Sequence, residues 1–234
     1  TTGSYNVFFG PLAGRSYSGA PNTASYNVAI GDAASRNITS GGCNVVIGKC
    51  AGYSTTTASN GVLIGHMAGY GNSGASNILI GHAAGKANST GACNIMIGHD
   101  AGCYGGGSNL TGHDNLFLGR KTGFYNSSGG TNIFSGKYAG RRNTTGSSNV
   151  YLGCGAGECQ KTGGYNLAFG FGALKGSSTV NSNTGTYNIA LGCGAGKTIT
   201  SGGANIAIGM NAGDITGGGC NVAMGTDALG GSTS

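Results

Sequence analysis

The sequence predicts an all-β protein, a parallel β-solenoid (β-roll or β-helix) of about 13 coils on a 17-residue base repeat. Three observations carry this. An Asn opens each of a long series of short apolar runs, a Gly closes each run four residues later, and an Ala follows three residues beyond that Gly. No single 17-residue unit could bury its apolar residues alone, so the units are expected to stack.

With the Asn as position 1, the coils begin in order at Asn6, Asn27, Asn44, Gly61, Asn77, Asn94, Asn115, Asn132, Asn149, Asn166, Asn188, Asn205 and Asn221. The fourth coil is the exception, with Gly61 in the Asn slot. Successive steps are 21, 17, 17, 16, 17, 21, 17, 17, 17, 22, 17 and 16 residues, so three coils carry insertions of four or five. Those insertions are expected to bulge at a turn and leave the stack intact. In register, the Asn side chains would form a ladder, each amide bonding to the next.

Within each coil, position 2 is Val, Ile or Leu, and position 4 is apolar except at Ser135. Runs this short, each closed by Gly, suit strands better than helices. Positions 2 and 4 of a strand share a face, which is expected to be the inner one. The recurrent Gly at position 5 marks a corner of positive φ or close backbone approach. Position 8 is Ala in every coil but one, where Thr122 stands, and a small residue there suits a thin core. Seventeen residues at about 3.3 Å each leave room for two short strands and two turns per coil.

Composition agrees and narrows the function. The 52 Gly with only 2 Pro show no collagen period. The net charge of +6 is dispersed, without the basic, aromatic-laced patches of a nucleic-acid binder. No apolar run approaches the roughly 18 residues of a spanning helix. Residues 1–234 are expected to form one repeat domain, a segment of a longer fibre or a subunit stacking end to end.

Position 3 is apolar too. It runs Phe8, Ala29, Val46, Leu63, Leu79, Met96, Phe117, Phe134, Tyr151, Ala168, Ala190, Ala207, Ala223. With positions 2 and 4 inside, this column would be an outward stripe too long to leave in water, and hence an oligomer interface. Its change from bulky residues to Ala would let partner chains approach more closely toward the C-terminus.

The unit Asn-aliphatic-x-aliphatic-Gly-x-x-Ala-Gly, followed by Asn-Thr-Thr-Gly at 143–146, resembles the 17-residue repeats of phage and bacterial tail-fibre-type proteins, which often end in an endosialidase-type chaperone. More distantly, Asn205-Ile206-Ala207-Ile208-Gly209 is similar to the β-roll heads of trimeric autotransporter adhesins. The resemblance covers essentially the whole chain. It implies a trimeric or otherwise multimeric β-roll in an extracellular fibre.

Candidate chemistry is sparse. Cys43 with Cys50, Cys93 with Cys103, and Cys154 with Cys159 each fall within one coil, and an even cysteine count favours disulfides; the alternative is small buried hydrophobes. Position 6 carries Lys49, His66, His82, His99, Arg120 and Lys137 in consecutive coils. At about 4.8 Å per coil, His66, His82 and His99 would stack as a weak candidate metal or anionic-glycan row, against a plain solvated basic edge. Sequons begin at Asn37, Asn88, Asn109, Asn126 and Asn143; they are candidate glycosylation sites or ordinary turn chemistry. Gly192 to Thr198 has the look of a phosphate loop but is in register with the repeat. The six acidic residues are scattered, and the neighbours His113 and Asp114 alone do not make an acid–base pair.

The expected function is therefore a structural subunit of an extracellular fibre (a tail-fibre or adhesin-like shaft), self-assembling as a homo-oligomer. It is expected to be no enzyme and to have no cofactor, no nucleic-acid partner and no membrane insertion. The alternative is a flat surface-binding module for glycan. Ice is the weaker version, because Thr55, Thr56, Thr57, Thr144 and Thr145 hold no single register.

Overall fold

A computed structural model of the chain describes residues 2–16, 21–103, 110–178, 183–214 and 218–230. The chain is an all-β parallel solenoid with a 17-residue period, and no helix occurs among the described residues. It divides into two compact units, Thr1–Asn115 and Leu116–Ser234. The first holds β1 (Val7–Phe9), β2 (Val28–Ile30), β3 (Val45–Ile47), β4 (Val62–Ile64), β5 (Ile78–Ile80) and β6 (Ile95–Ile97). The second holds β7 (Leu116–Leu118), β8 (Ile133–Ser135), β9 (Val150–Leu152), β10 (Leu167–Phe169), β11 (Ile189–Leu191), β12 (Ile206–Ile208) and β13 (Val222–Met224). Within each unit the strands pair in chain order, parallel and in register. Val45 stands beside Val28 and Val62, and Leu167 beside Val150 and Ile189.

Among the described residues each coil has one three-residue strand rather than the two expected. The return side, positions 10 to 13, is bonded between coils but does not run as strand. Asn37 N–H donates to Tyr53 O at 3.1 Å and Thr39 N–H to Thr56 O at 2.9 Å, and the described return side holds one isolated bridge, Asn88 with Leu110. The inserted residues 17–20, 104–109 and 179–182 lie outside the described residues.

The position-5 corner is where glycine is required. Gly153 has φ of 134°, and a Cβ there would lie 2.4 Å from Gly170 O of the next coil. Two further corners, at positions 7 and 17, place ordinary residues in the left-handed region, among them Thr131 at 55° and Asp100 at 58°. Each such residue costs about 1–2 kcal/mol. Bonds between coils hold them: Asp100 N–H donates to His82 O at 2.9 Å and Cys43 N–H to Ser25 O at 3.1 Å.

The strands face the other way from the expectation. Position 3 points into the core: Ala29, Val46, Leu63, Leu79 and Met96 are buried in the first unit, and Phe117, Phe134, Tyr151, Ala168, Ala190, Ala207 and Ala223 in the second. Phe8, in the first coil, is 37% exposed. These residues are therefore interior packing and not an outward interface, while positions 2 and 4 face out. The reason is position 1. The Asn side chains are buried, and residues 1 and 3 of a strand share a face, so the ladder carries position 3 inside with it.

That ladder runs as expected. In the first unit, Asn27 Oδ1 accepts from the backbone N–H and from Nδ2 of Asn44, both at 3.0 Å. Asn44 Nδ2 also donates to Ala58 O at 2.8 Å. In the second unit Asn149 Oδ1 accepts from Asn166 N–H and Nδ2, both at 3.0 Å, and Asn149 Nδ2 donates to Gly163 O at 2.9 Å. These amides thus tie a strand to the next coil and pin the opposite wall of their own coil.

A second buried row lies at position 12. Asn88 Nδ2 donates to Asn72 Oδ1 at 2.7 Å, and Asn143 Nδ2 to Asn126 Oδ1 at 3.1 Å. This row compensates where the first is broken. In the coil after Gly61, Asn77 Nδ2 reaches Asn72 Oδ1 at 3.1 Å as well as Gly74 O and Gly91 O.

Core volume is balanced coil by coil. Large position-3 side chains lie over a Gly at position 9; a Cβ on Gly140 would come within 2.4 Å of the Phe134 ring. Phe117, Phe134 and Tyr151 stack with centroids 5.1 and 4.8 Å apart. In the coils of Ala29, Ala168 and Ala190 the space is refilled by buried Ile38, Leu174 and Ile199, respectively. The Ala run therefore does not mark a closer partner chain.

Asn149→Ala is expected to cost about 3–5 kcal/mol, several bonds of about 1 kcal/mol each plus a buried N–H left unpaired; denaturant unfolding measures it. Burial pushes the Tyr151 phenol above its ordinary 10.0. The sign follows: the folded value is raised, so this stabilisation is complete below pH 10 and is lost above it, as the unfolded phenol ionises. The slope is about 1.4 kcal/mol per pH unit. Tyr151→Phe is expected to remove that slope while staying within about 1 kcal/mol of wild type at pH 7.

Candidate functional site

Two surface features survive as candidates, both set by the coil geometry. The first is the histidine row of the first unit. Position 6 follows the Gly corner and projects into solvent, and in-register coils place its side chains one above another. His66 and His82 stack at 5.2 Å and His82 and His99 at 4.7 Å between ring centroids, all three exposed. Lys49, at the same position, pairs with Asp32 at 3.9 Å. In the second unit Lys137 lies over the Tyr138 ring at 5.0 Å.

Sequence reasoning left out the member that gives the row chemical character. Asp100 sits at position 7, its carboxylate held between two imidazoles: Oδ2 is 3.0 Å from His99 Nδ1 and Oδ1 is 3.8 Å from His82 Nδ1. Its side chain is only 16% exposed. Donor atoms of His82, His99 and Asp100 all lie within 4.8 Å of one another, the one group of this kind among the described residues. The available signal was the pair His99-Asp100 read against His82 one repeat earlier; scanning for acids as isolated residues hid it.

The second feature is the outer face of the strands. Positions 2 and 4 present two apolar side chains in every coil but that of Ser135, including Ile30, Ile47 and Ile97 in the first unit and Ile133, Phe169 and Met224 in the second, all exposed. Exposed tyrosines stack beside this face at position 17, Tyr5 on Tyr26 and Tyr165 on Tyr187, each pair at 5.0 Å.

The other expected sites fare differently. Asn88, Asn126 and Asn143 are buried and hydrogen-bonded in the second amide row, so the folded coil has no room for a glycan on them; this corrects the glycosylation reading there. Asn37 is half-buried, and Asn109 lies outside the described residues. All eight cysteines are thiols, which corrects the three expected disulfides. Cys43 and Cys50 flank a strand at opposite corners, and an extended run of that length separates them by far more than the roughly 7 Å a disulfide tolerates. Cys154 is exposed while Cys159 points into the interior. Cys93 precedes β6, and Cys103 follows the turn beyond it.

The loop-like stretch from Gly192 is a rung. Gly194 N–H donates to Phe171 O and Gly196 N–H to Ala212 O, both at 2.8 Å, which commits them to neighbouring coils rather than to a phosphate. In the first unit Asp114 pairs with His113 at 2.8 Å on the surface. In the second, Glu158 pairs with Arg141 at 2.9 Å and Lys175 at 3.6 Å along the return side. These are contacts between and within coils.

No protein-family model matches the chain, and neither a curated protein nor a solved structure matches it.

Thiol chemistry offers a direct check. Burial, then the Glu158 charge, pushes the Cys159 thiol up. Under native conditions Cys43, Cys93, Cys154, Cys193 and Cys220 are expected to react quickly with a disulfide reagent and Cys159 only on unfolding. Unreduced, denatured protein should titrate eight thiols.

Proposed function

We propose that this chain is a structural subunit of an extracellular fibre of the tail-fibre or adhesin-shaft kind, and that it associates with a second copy through the outer strand face. The observation that carries the reading is the pair of outward aliphatic columns at positions 2 and 4. Such a face repeats at the coil spacing within each unit, so an identical face can lie against it in register. Soluble monomers rarely leave continuous apolar surface of this kind uncovered.

Magnitudes bear on how tight such association would be. Burying a half-exposed aliphatic side chain contributes about 1 kcal/mol. The twelve outward residues of β1 to β6 therefore offer a gain of the same order as the roughly 4–15 kcal/mol that association costs in lost freedom. Association over a few coils would be weak, and each further coil in register would strengthen it. That dependence on repeat number is what a fibre requires.

A second reading rests on the exposed tyrosine pairs. Exposed phenol edges and hydroxyls beside an apolar strip suit a sugar's mixture of hydroxyls and apolar C–H surface, which favours a glycan over ice as a surface ligand. The aliphatic outer columns lack the regular hydroxyls an ice-binding face would need.

Ile47→Lys combined with Ile97→Lys tests the main reading, since neither side chain is in the core. Wild-type protein is expected to form concentration-dependent dimers or filaments by sedimentation velocity and electron microscopy. The double variant should remain monomeric with an unchanged circular-dichroism spectrum. Wild type that stays monomeric at about 100 μM with no filaments would sink the proposal.

A further inference from the structure

We infer that His82, His99 and Asp100 form a binding site for a divalent transition-metal ion of the zinc, nickel or copper class. Two imidazole nitrogens and one carboxylate are a donor set that these ions prefer, whereas calcium and magnesium favour all-oxygen surroundings. The donors come from two coils, and the fold sets their separation. His82 and His99 hold the same position in consecutive repeats, and their rings stack at 4.7 Å. Asp100 adds the carboxylate from the neighbouring corner, where its left-handed φ of 58° and its N–H bond to His82 O at 2.9 Å fix its backbone.

The distances suit a metal. Ligand bonds of about 2.0–2.1 Å in a tetrahedral site place donor atoms roughly 3.3 Å apart. His99 Nδ1 stands 3.0 Å from Asp100 Oδ2 and His82 Nδ1 3.8 Å from Asp100 Oδ1, and donor atoms of the three residues all lie within 4.8 Å of one another. The two rings stack nearly parallel, so the half-exposed imidazoles must turn to aim both Nδ1 atoms at one ion, a rotation that their exposure allows. The carboxylate is the most enclosed of the three, so it supplies fixed negative charge to the two more mobile neutral ligands. Three protein donors leave a coordination position open to water or to a group from another molecule. His66 stacks on His82 from the preceding coil at 5.2 Å and supports that ring.

Zinc titration followed by histidine side-chain resonances tests this on the intact chain. There are four histidines, and the resonances report the site whatever the thiols bind. His82 and His99 are expected to shift together along one saturable curve, while His113, 2.8 Å from Asp114 elsewhere on the surface, stays put. Asp100→Asn keeps a residue that tolerates the left-handed corner. It should weaken zinc binding by about tenfold or more, since even outer-shell changes at metal sites cost 10–100-fold. His99→Gln should do the same with unchanged thermal stability. The inference is overturned if millimolar zinc produces no saturable shift. It is equally overturned if His113 moves in parallel, or if Asp100→Asn binds as tightly as wild type.

Discussion

The buried amide ladder is the interaction on which the rest of this structure depends. A short apolar strand can present either face to a core, and three consecutive apolar residues do not choose between them. The Asn at position 1 chooses, because its amide is satisfied only where it meets the amide of the next coil and the carbonyl across its own. Once that side chain is inside, strand parity puts position 3 inside and positions 2 and 4 outside. Register follows as well, since a slip of one residue would leave a buried amide unpaired, at a cost comparable to several hydrogen bonds.

The remaining features are consequences of holding the coils at that spacing. Gly at position 5 allows the backbone of one coil to approach the carbonyl of the next. Left-handed residues at positions 7 and 17 turn the chain sharply, and bonds between coils offset their strain. The core has to be filled within each coil, which explains the exchange of bulk between position 3 and positions 9 and 12. Ala168 and Ala190 are accompanied by Leu174 and Ile199, whereas Phe134 faces a bare glycine. Because the interior is narrow and close-packed, a change of bulk at one inner position is matched by another, whereas the outer positions vary without that constraint. The surface columns are consequently where any specific function is to be sought, and in-register stacking turns a single residue type into a row.

Much of this was legible from the residues. The period, the strand positions, the glycine corner and the pairing of successive Asn side chains all followed from the spacing of Asn, Gly and Ala. The orientation of the strands did not, because positions 2, 3 and 4 are all apolar and supply no alternation. Residues such as Val46 and Phe117 accordingly read as an outer stripe, although the Asn two residues earlier carries the deciding information. The sequons at Asn88, Asn126 and Asn143 misled for a related reason. Asn-Ser/Thr reads the same whether the amide faces solvent or closes a corner from within. The histidine row was visible in register, but Asp100 belongs to a different column and joins it only because the corner folds it back between His82 and His99.

The sequence by itself determined the repeat, and with it the parallel stack, because a motif that recurs at fixed spacing offers identical bonding partners only to its neighbours. What the tertiary structure alone decided was which face of each strand is interior, which amides are spent on cohesion, and which thiols and imidazoles come close together. Those outcomes depend on distances across the coil and between coils. Such distances are set by how the corners turn and how the core fills, and neither is encoded in the spacing of any one motif.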